Sequence, residues 1–287
     1  MVLWPPPHKL GDSVFRTLGY SLKFSYPLTA REIWFWQVGT NYSLSQVTAY
    51  LRLLKSRKLL MYSQDFYSLP DSPDNSPLRL TRRKNSLPKM KKALATSLLL
   101  RKFPTIQAVF LTGTLAMLNC QKDDDIDIFI VTLPHTLWIT RFFTVLYLKK
   151  LGLRRPPHIL EHSSARVSDT ICDNLWLDSH RLKVDEQSLY IAHEILQAKV
   201  LWDRGGSLHR LLTSNSWVGE YLPVAYVSAI SSASHRSSLS VPELLLCLFL
   251  APFNVIFFIL QMWYMFPRKT REKVGLGFAF FHPSPQA

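Results

Sequence analysis

The sequence predicts an α+β fold, and three observations carry that prediction. An apolar run at 109–111 stops at Gly113 and Thr114, as a strand does at a turn. Further on, Asp125 and Asp127 alternate with isoleucines, and such alternation is typical of a strand whose two faces have different surroundings. Before and after this motif, apolar residues recur at helical spacing, which predicts helices on both sides of it along the chain.

The alternation places Asp125 and Asp127 on one face of the predicted strand, about 6–7 Å apart along it. The isoleucines between and after them then point into the core. Two carboxylates on one face suit Mg²⁺ or Mn²⁺, which prefer oxygen ligands. The Gly113-Thr114 turn can bring backbone N–H groups close to a phosphate, because glycine has no side chain and tolerates positive φ. Together these features predict a site for a nucleoside triphosphate and its metals.

This motif resembles that of the nucleotidyltransferase superfamily, which has the polymerase-beta-like fold. The shared pattern is Gly113-Thr114, ten residues, and then Asp125-Ile126-Asp127-Ile128, with Thr114 where serine is usual. The resemblance covers roughly residues 87–178. It implies a small mixed sheet with helices on one side. It also implies metal-dependent transfer of a nucleoside monophosphate to a hydroxyl acceptor, with metals on Asp125 and Asp127 and the β- and γ-phosphates on Gly113 and Thr114.

The resemblance further implies a third carboxylate on the neighbouring strand, predicted at 170–178. Asn174 stands where that acid is expected, and Asp173 points to the opposite side. Asp178 is in phase with Asn174 but lies about 13 Å further along the strand. We predict Asp178, rather than Asp173, as the third catalytic acid. If Asn174 holds the position instead, the general base is missing and the fold binds a nucleotide with little chemistry.

Composition and motif order predict four parts of the chain. These are a winged-helix-like domain at 1–70, a linker at 71–86, a nucleotidyltransferase domain at 87–204, and a helical C-terminal region at 205–287 with a hydrophobic segment at 241–266. The whole order resembles uncharacterised bacterial nucleotidyltransferase-domain proteins with a winged-helix-like N-terminal part.

The prediction for the first part depends on three helices followed by a hairpin. Thr29 and Glu32 form a capping-box pattern at the start of the second helix. The third helix opens at Ser43, and two short strands are expected around Gln64 and Asp65. In a winged helix the third helix is the recognition helix.

The net charge of +14 is concentrated at the front of the chain. Residues 1–100 contain 15 Lys and Arg against 5 Asp and Glu, a balance of +10. This balance is typical of nucleic-acid partners, although a solvated basic surface explains it equally well. It supports an alternative function, a DNA-binding regulator that uses a degenerate nucleotidyltransferase fold as a nucleotide sensor.

The three cysteines have no Cys-x-x-Cys spacing, which argues against a zinc site or a disulfide framework and fits the cytoplasm. The first residues do not have the pattern of a signal peptide. The hydrophobic segment 241–266 is long enough to span a bilayer, and aromatic and basic residues follow it. Pro252, Asn254 and Gln261 interrupt it. The alternatives are therefore a segment that spans or contacts a membrane and a hydrophobic helix pair that is buried against the rest of the protein or in a dimer.

Overall fold

A computed structural model describes residues 9–156, 167–235, 238–266 and 273–281, and it confirms the α+β fold class. Strands form a two-stranded and a six-stranded sheet, and helices account for most of the remaining chain. The chain divides into two compact units. The first contains residues up to Lys84 with Asp185–Leu196 and Ser216–Ser232, and the second contains Asn85–Val184, Gln197–Asn215 and the residues from Ala233 onwards.

The first unit begins with three helices and a hairpin. These elements are α1 Lys9–Leu22, α2 Ala30–Phe35, α3 Leu44–Ser56, β1 Met61–Ser63 and β2 Phe66–Ser68. The predicted capping box at Thr29 and Glu32 is confirmed, and Ser43 caps α3 in the same way. Leu28 forms a bridge with Tyr67, so the segment before α2 pairs with the hairpin. The order helix, bridge, helix, helix, hairpin is compatible with the predicted winged-helix-like arrangement.

The predicted linker at 71–86 is only partly irregular, because α4 runs over Ser76–Leu100. Asp74 accepts a hydrogen bond from the N–H of Ser76 at 3.0 Å and so stabilises the start of the helix. Pro77 is compatible with this position, since the first N–H groups of a helix have no partner within it. Pro88 also lies inside the helix, although a proline in a helix interior usually ends or kinks it.

The second unit is built on the six-stranded sheet. Its strands are β3 Ile106–Leu111, β4 Ile126–Thr132, β5 Ile171–Asp178, β6 Lys199–Asp203, β7 Lys273–Gly275 and β8 Phe278–Phe280. They lie in the order β6-β3-β4-β5-β8-β7. Only β4 and β5 are parallel, so the sheet is mixed. The short helix α5 Gly113–Ala116 lies between β3 and β4 in the chain. Parallel neighbours need a crossover, and α6 Leu137–Lys150 lies between β4 and β5 in the chain.

One face of this sheet carries the hydrophobic core. Ile126, Ile128 and Ile130 are fully or almost fully buried, as the alternation predicts. They belong to one cluster with Val109 and Leu111 of β3. Residues of α4, α6 and α11 Val241–Met265 also contribute to the cluster, so these three helices cover the core face. Asp125 and Asp127 therefore lie on the opposite side of β4 from this core.

The later part of the chain differs from the predicted helices. Helix α7 Leu189–Gln197 is followed at once by β6, an antiparallel partner of β3 that was not predicted. The C-terminal region is also not purely helical. It contains α8 Ser207–Ser214, α9 Val218–Tyr221, α10 Pro223–Ser232 and α11, but also the hairpin β7–β8, which pairs with β5. The local sequence of these short apolar runs fits either a helix or a strand, and pairing with another strand determines which one forms.

The hydrophobic segment 241–266 forms one long helix, α11, with Pro252 inside it. Ser240 and Glu243 form a capping box at its start. By length and composition the helix is able to cross a membrane. Most of its large apolar side chains are exposed, so the buried alternative is not supported.

Candidate functional site

The Gly113 turn lies directly against Asp127. The N–H of Thr112 donates to the backbone oxygen of Asp127 at 3.1 Å. Gly113 has φ +66°, and a Cβ added there would lie 2.5 Å from Oδ2 of Asp127. Glycine is therefore required twice, for the left-handed backbone and for the space that the carboxylate occupies. The structure thus brings together the two halves of the motif that define the predicted site.

The thiol of Cys172 lies beside the two carboxylates, and the sequence had not predicted it as part of the site. Ligand atoms of Asp125, Asp127 and Cys172 lie within 4.8 Å of one another. In the parallel ladder Cys172 is the register partner of Asp127, so both side chains leave the same face of the sheet. Cys172 is buried, whereas the aspartates are half-buried. The sequence contained one signal for Cys172. It lies two residues before Asn174 on the predicted strand, so both side chains are expected on the same face.

Two further side chains hold the carboxylates. Arg155 Nη1 donates to Oδ2 of Asp125 at 2.7 Å. Asn174 Nδ2 donates to Oδ1 of Asp127 at 2.9 Å. Each carboxylate therefore has one fixed oxygen, and the guanidinium balances part of the negative charge. The hydrogen bond to Asp125 places Arg155 at the edge of this site.

Burial raises the pKa of the Cys172 thiol, and the negative charges of Asp127 and Asp125 raise it further. Without a cation beside it, the thiol is therefore protonated at neutral pH. A bound divalent cation would act in the opposite direction, because it stabilises the thiolate.

Thr114 and the acidic turn lie beside the cluster. The exposed Thr114 donates through Oγ1 to Oδ2 of Asp124 at 3.2 Å, and the N–H of Gln121 donates to the same oxygen at 2.9 Å. Lys89 of α4 is buried and donates to the backbone oxygen of Asp124 at 2.6 Å and to Asp169 at 2.7 Å. The hydroxyl of Thr114 thus contacts Asp124 rather than the two metal-ligand candidates.

The structure does not bring Asp178 to the site, which corrects the predicted third carboxylate. Cys172 pairs with Asp127, but Leu175 pairs with Phe129, so the two residues between them on β5 face one residue of β4. This bulge reverses the alternation, and Asp178 falls beside Thr132 on the opposite face, about 20 Å along the strand from Cys172. Asp178 is buried there.

The carboxylate of Asp178 has a structural role instead. It accepts the backbone N–H groups of His135 at 2.6 Å and His180 at 2.9 Å. Asp173 is likewise buried and paired with Arg154 at 2.7 Å. Neither acid of β5 reaches the cluster, and the residues of β5 that do are Cys172 and Asn174.

The cluster can hold a metal ion. Two carboxylates and a thiol converge, and Asn174 adds a second feature. Its Oδ1 is buried and has no hydrogen-bond partner among the described residues, although its Nδ2 is fixed on Asp127. Within the described ranges, no other His, Cys, Asp or Glu joins the three potential ligands. The donor set is dominated by carboxylate oxygens, which fits a small divalent cation.

Replacement of Gly113 by alanine should distinguish the effect on metal binding at the site from the effect on the stability of the fold. The new Cβ meets the Asp127 carboxylate, so we expect Mn²⁺ affinity to fall at least ~10-fold. Gly152→Ala is the matched control, because Gly152 has φ +65° with nothing within 4 Å of the added atom. Both variants should lose about 1–2 kcal/mol of unfolding free energy for the left-handed backbone. Metal titration and urea unfolding measure the two effects. Equal Mn²⁺ affinity in both variants would contradict the role of Gly113.

The chain was compared with known proteins. No protein-family model matches it, and no curated protein matches it. One solved structure, described as "Crystal structure of the toxin-antitoxin with AMP-PNP", is 16% identical, and the match covers 44% of this chain and 85% of that chain. Its TM-score is 0.27, a similarity too low to support an argument about fold or function.

Proposed function

We propose that the protein is a metal-dependent nucleotidyltransferase, which moves a nucleoside monophosphate from a nucleoside triphosphate to a hydroxyl acceptor and releases pyrophosphate. The observation that carries the proposal is the contact between the Gly113 turn and Asp127, with Asp125 on the same face of the sheet. This arrangement is what the motif resemblance requires of Gly113-Thr114 and the Asp-Ile-Asp strand.

In this proposal Asp125 and Asp127 hold Mg²⁺ or Mn²⁺, and Cys172 lies close enough to be a third donor. A metal held there would neutralise charge on the transferring phosphoryl group and orient the attacking oxygen. Gly113 and Thr114 border the same carboxylates, where their backbone N–H groups are suited to the β- and γ-phosphates. Arg155 is within hydrogen-bond distance of Asp125, so its guanidinium is suited to bind phosphate oxygens at the site's edge.

The proposed chemistry lacks a dedicated base on β5. Asn174 occupies the place beside Asp127, and an amide cannot accept the proton of an attacking hydroxyl. That proton must therefore pass to Asp125, Asp127, the substrate or water. General base catalysis is typically worth 10²–10⁴-fold, so slow turnover is expected.

The second candidate is the DNA-binding regulator that uses this fold as a nucleotide sensor. The observation that favours it is the exposed basic end of α3, formed by Arg52, Lys55, Arg57 and Lys58. This is the helix that would act as recognition helix in a winged-helix-like domain at 1–70. The absence of a carboxylate at Asn174 favours it too, because a sensor needs binding and not turnover.

The proposed function is tested by calorimetry on the full chain. ATP, GTP, CTP and UTP are titrated with Mg²⁺ and with Mn²⁺ into wild type and into Asp125→Asn/Asp127→Asn. We expect metal-dependent binding of at least one triphosphate in the wild type and its loss in the variant, since two carboxylate charges are removed without a change in shape.

If a folded wild-type protein binds no triphosphate with either metal, the enzyme proposal is wrong. Duplex DNA binding is then measured by fluorescence anisotropy in Arg52→Gln/Lys55→Gln and in wild type. Wild-type affinity that falls with salt and weakens in the variant would support the regulator.

A further inference from the structure

Helix α11 has an outer face that is almost entirely apolar. Leu245, Leu248, Phe249, Ile256, Ile259 and Trp263 follow one another at intervals of one, three, four and seven residues, which places them on one side of a helix. All six are exposed, and Leu248, Ile259 and Trp263 are 64%, 59% and 80% exposed. We call these six residues the outer face of α11.

The inner side of the same helix carries polar groups that hold it on its own unit. Cys247, Asn254 and Gln261 recur every seven residues and are buried. Asn254 Oδ1 accepts the N–H of Trp138 at 2.7 Å, which satisfies a donor at the start of α6. Gln261 donates to the backbone oxygen of Trp138 at 2.7 Å and accepts from Arg141 at 2.6 Å. These polar groups add to apolar contacts, because Phe257, Phe258, Met262 and Met265 of the same helix pack against the core cluster. The inner side of α11 is therefore fully used within its own unit, whereas its outer apolar side is left exposed.

We propose that the outer face of α11 lies in the plane of a membrane surface and binds bilayers that contain anionic lipid. This inference is independent of the proposed nucleotidyl transfer. Residues 244–267 contain no charged side chain, and the two amides among them, Asn254 and Gln261, point inward. A protein partner would require a polar rim around an apolar centre, whereas a bilayer requires none.

The end of the helix matches the chemistry of the lipid headgroups. Trp263 and Tyr264 are exposed there, and such aromatic side chains are enriched at membrane interfaces. The sequence continues with Arg268, Lys269 and Arg271, and Lys273 at the start of β7 is exposed. Basic residues beside an apolar helix are attracted to anionic headgroups. Their place in the sequence, directly after the helix, supports a membrane surface as the occupant.

The inner contacts favour a helix that lies in the surface rather than one that spans the bilayer. A spanning helix meets lipid on all sides, but the hydrogen bonds of Asn254 and Gln261 hold one side of α11 on α6. Phe143 of α6 is exposed and contacts Phe257, with ring centroids 5.7 Å apart, so the apolar surface extends onto α6. Insertion by about 5–10 Å, the depth typical of interfacial helices, covers the outer face alone.

The test is flotation of the full chain with vesicles. Vesicles of phosphatidylcholine alone and of phosphatidylcholine with phosphatidylglycerol are compared for wild type, Leu248→Glu/Ile259→Glu and Val227→Glu. Val227 of α10 is 63% exposed and serves as the matched control for added negative charge. We expect wild type and Val227→Glu to float with anionic vesicles, and the double variant to lose binding at least tenfold. Unchanged circular dichroism shows that the variants remain folded.

Three results would overturn the proposal. Wild type that is monomeric and floats with neither vesicle lacks the membrane surface site. If wild type instead fails to float and elutes as a dimer while the double variant elutes as a monomer, the outer face binds a second copy of the chain. Bound protein that stays in the pellet after alkaline carbonate washing spans the bilayer instead of lying on it.

Discussion

Replacement of Asp127 by asparagine should lower the rate of nucleotidyl transfer by about 10³-fold while the protein stays folded. Asp127 lies at the centre of the site. Its carboxylate lies beside Gly113 and accepts a hydrogen bond from Asn174, and its register partner on β5 is Cys172. Asparagine keeps the shape and the oxygen that accepts from Asn174. It removes the negative charge that a divalent cation needs, so the loss should appear in catalysis and metal affinity rather than in stability.

The measurement is pyrophosphate release from the triphosphate found by calorimetry, with acceptors screened for the wild type. Asp178→Asn is the control, because Asp178 lies on the opposite face of the sheet. It should retain wild-type kcat/KM but lose about 1–3 kcal/mol of unfolding free energy, since its carboxylate accepts two backbone N–H groups. Loss of transfer in Asp178→Asn with full activity in Asp127→Asn would reverse the two roles.

Acidification should destabilise the first unit through His193. Burial lowers the pKa of His193 to about 3, and the ring stacks on Tyr20 with centroids 3.9 Å apart. The unfolded chain has an ordinary histidine pKa near ~6.5, so below that pH it binds a proton that the folded state does not. Stability is therefore complete above about pH 6.5 and falls with decreasing pH. This one group should remove about 2 kcal/mol by pH 5.

Urea unfolding between pH 7.5 and 5 measures this effect. His193→Phe keeps an aromatic ring against Tyr20 but cannot titrate, so its stability should change by about 2 kcal/mol less over this range than that of wild type. His180→Gln, at an exposed histidine, is the control and should follow wild type. If His193→Phe and wild type have the same pH dependence, His193 is not the group that titrates on unfolding.

The sheet strands that carry the site could be predicted from the sequence. The Gly113 turn and the alternation around Asp125 and Asp127 are local signals, and the structure places them as one contact. Their physical cause is also local, because a glycine is needed wherever backbone and carboxylate approach closely. The same holds for Thr29 and Ser43, whose capping boxes depend on residues three apart.

The other features of the fold could not be predicted, because they depend on pairing between distant segments, and the sequence of a single strand does not contain that information. The bulge in β5 exists only in relation to β4, and it changes the face of Asp178 while leaving Cys172 beside Asp127. Lys199–Asp203 fits a helix or a strand by itself, and the free edge of β3 decides for a strand. Ser76–Leu100 contains a proline that usually ends a helix, yet buried residues such as Ala93 and Leu100 hold it on the core.

The pairing of β8 with β5 has a consequence for the synthesis of the protein. Residues Phe278–Phe280 pair with Leu175–Leu177, about 100 residues earlier in the chain. During translation, β5 can join β4 as soon as both have left the ribosome, but its other edge stays open until β8 has been made. An open edge of a central strand is a template for pairing with other chains. Nascent chains that stall between these two segments should therefore be the species most prone to aggregate, and the most dependent on chaperones.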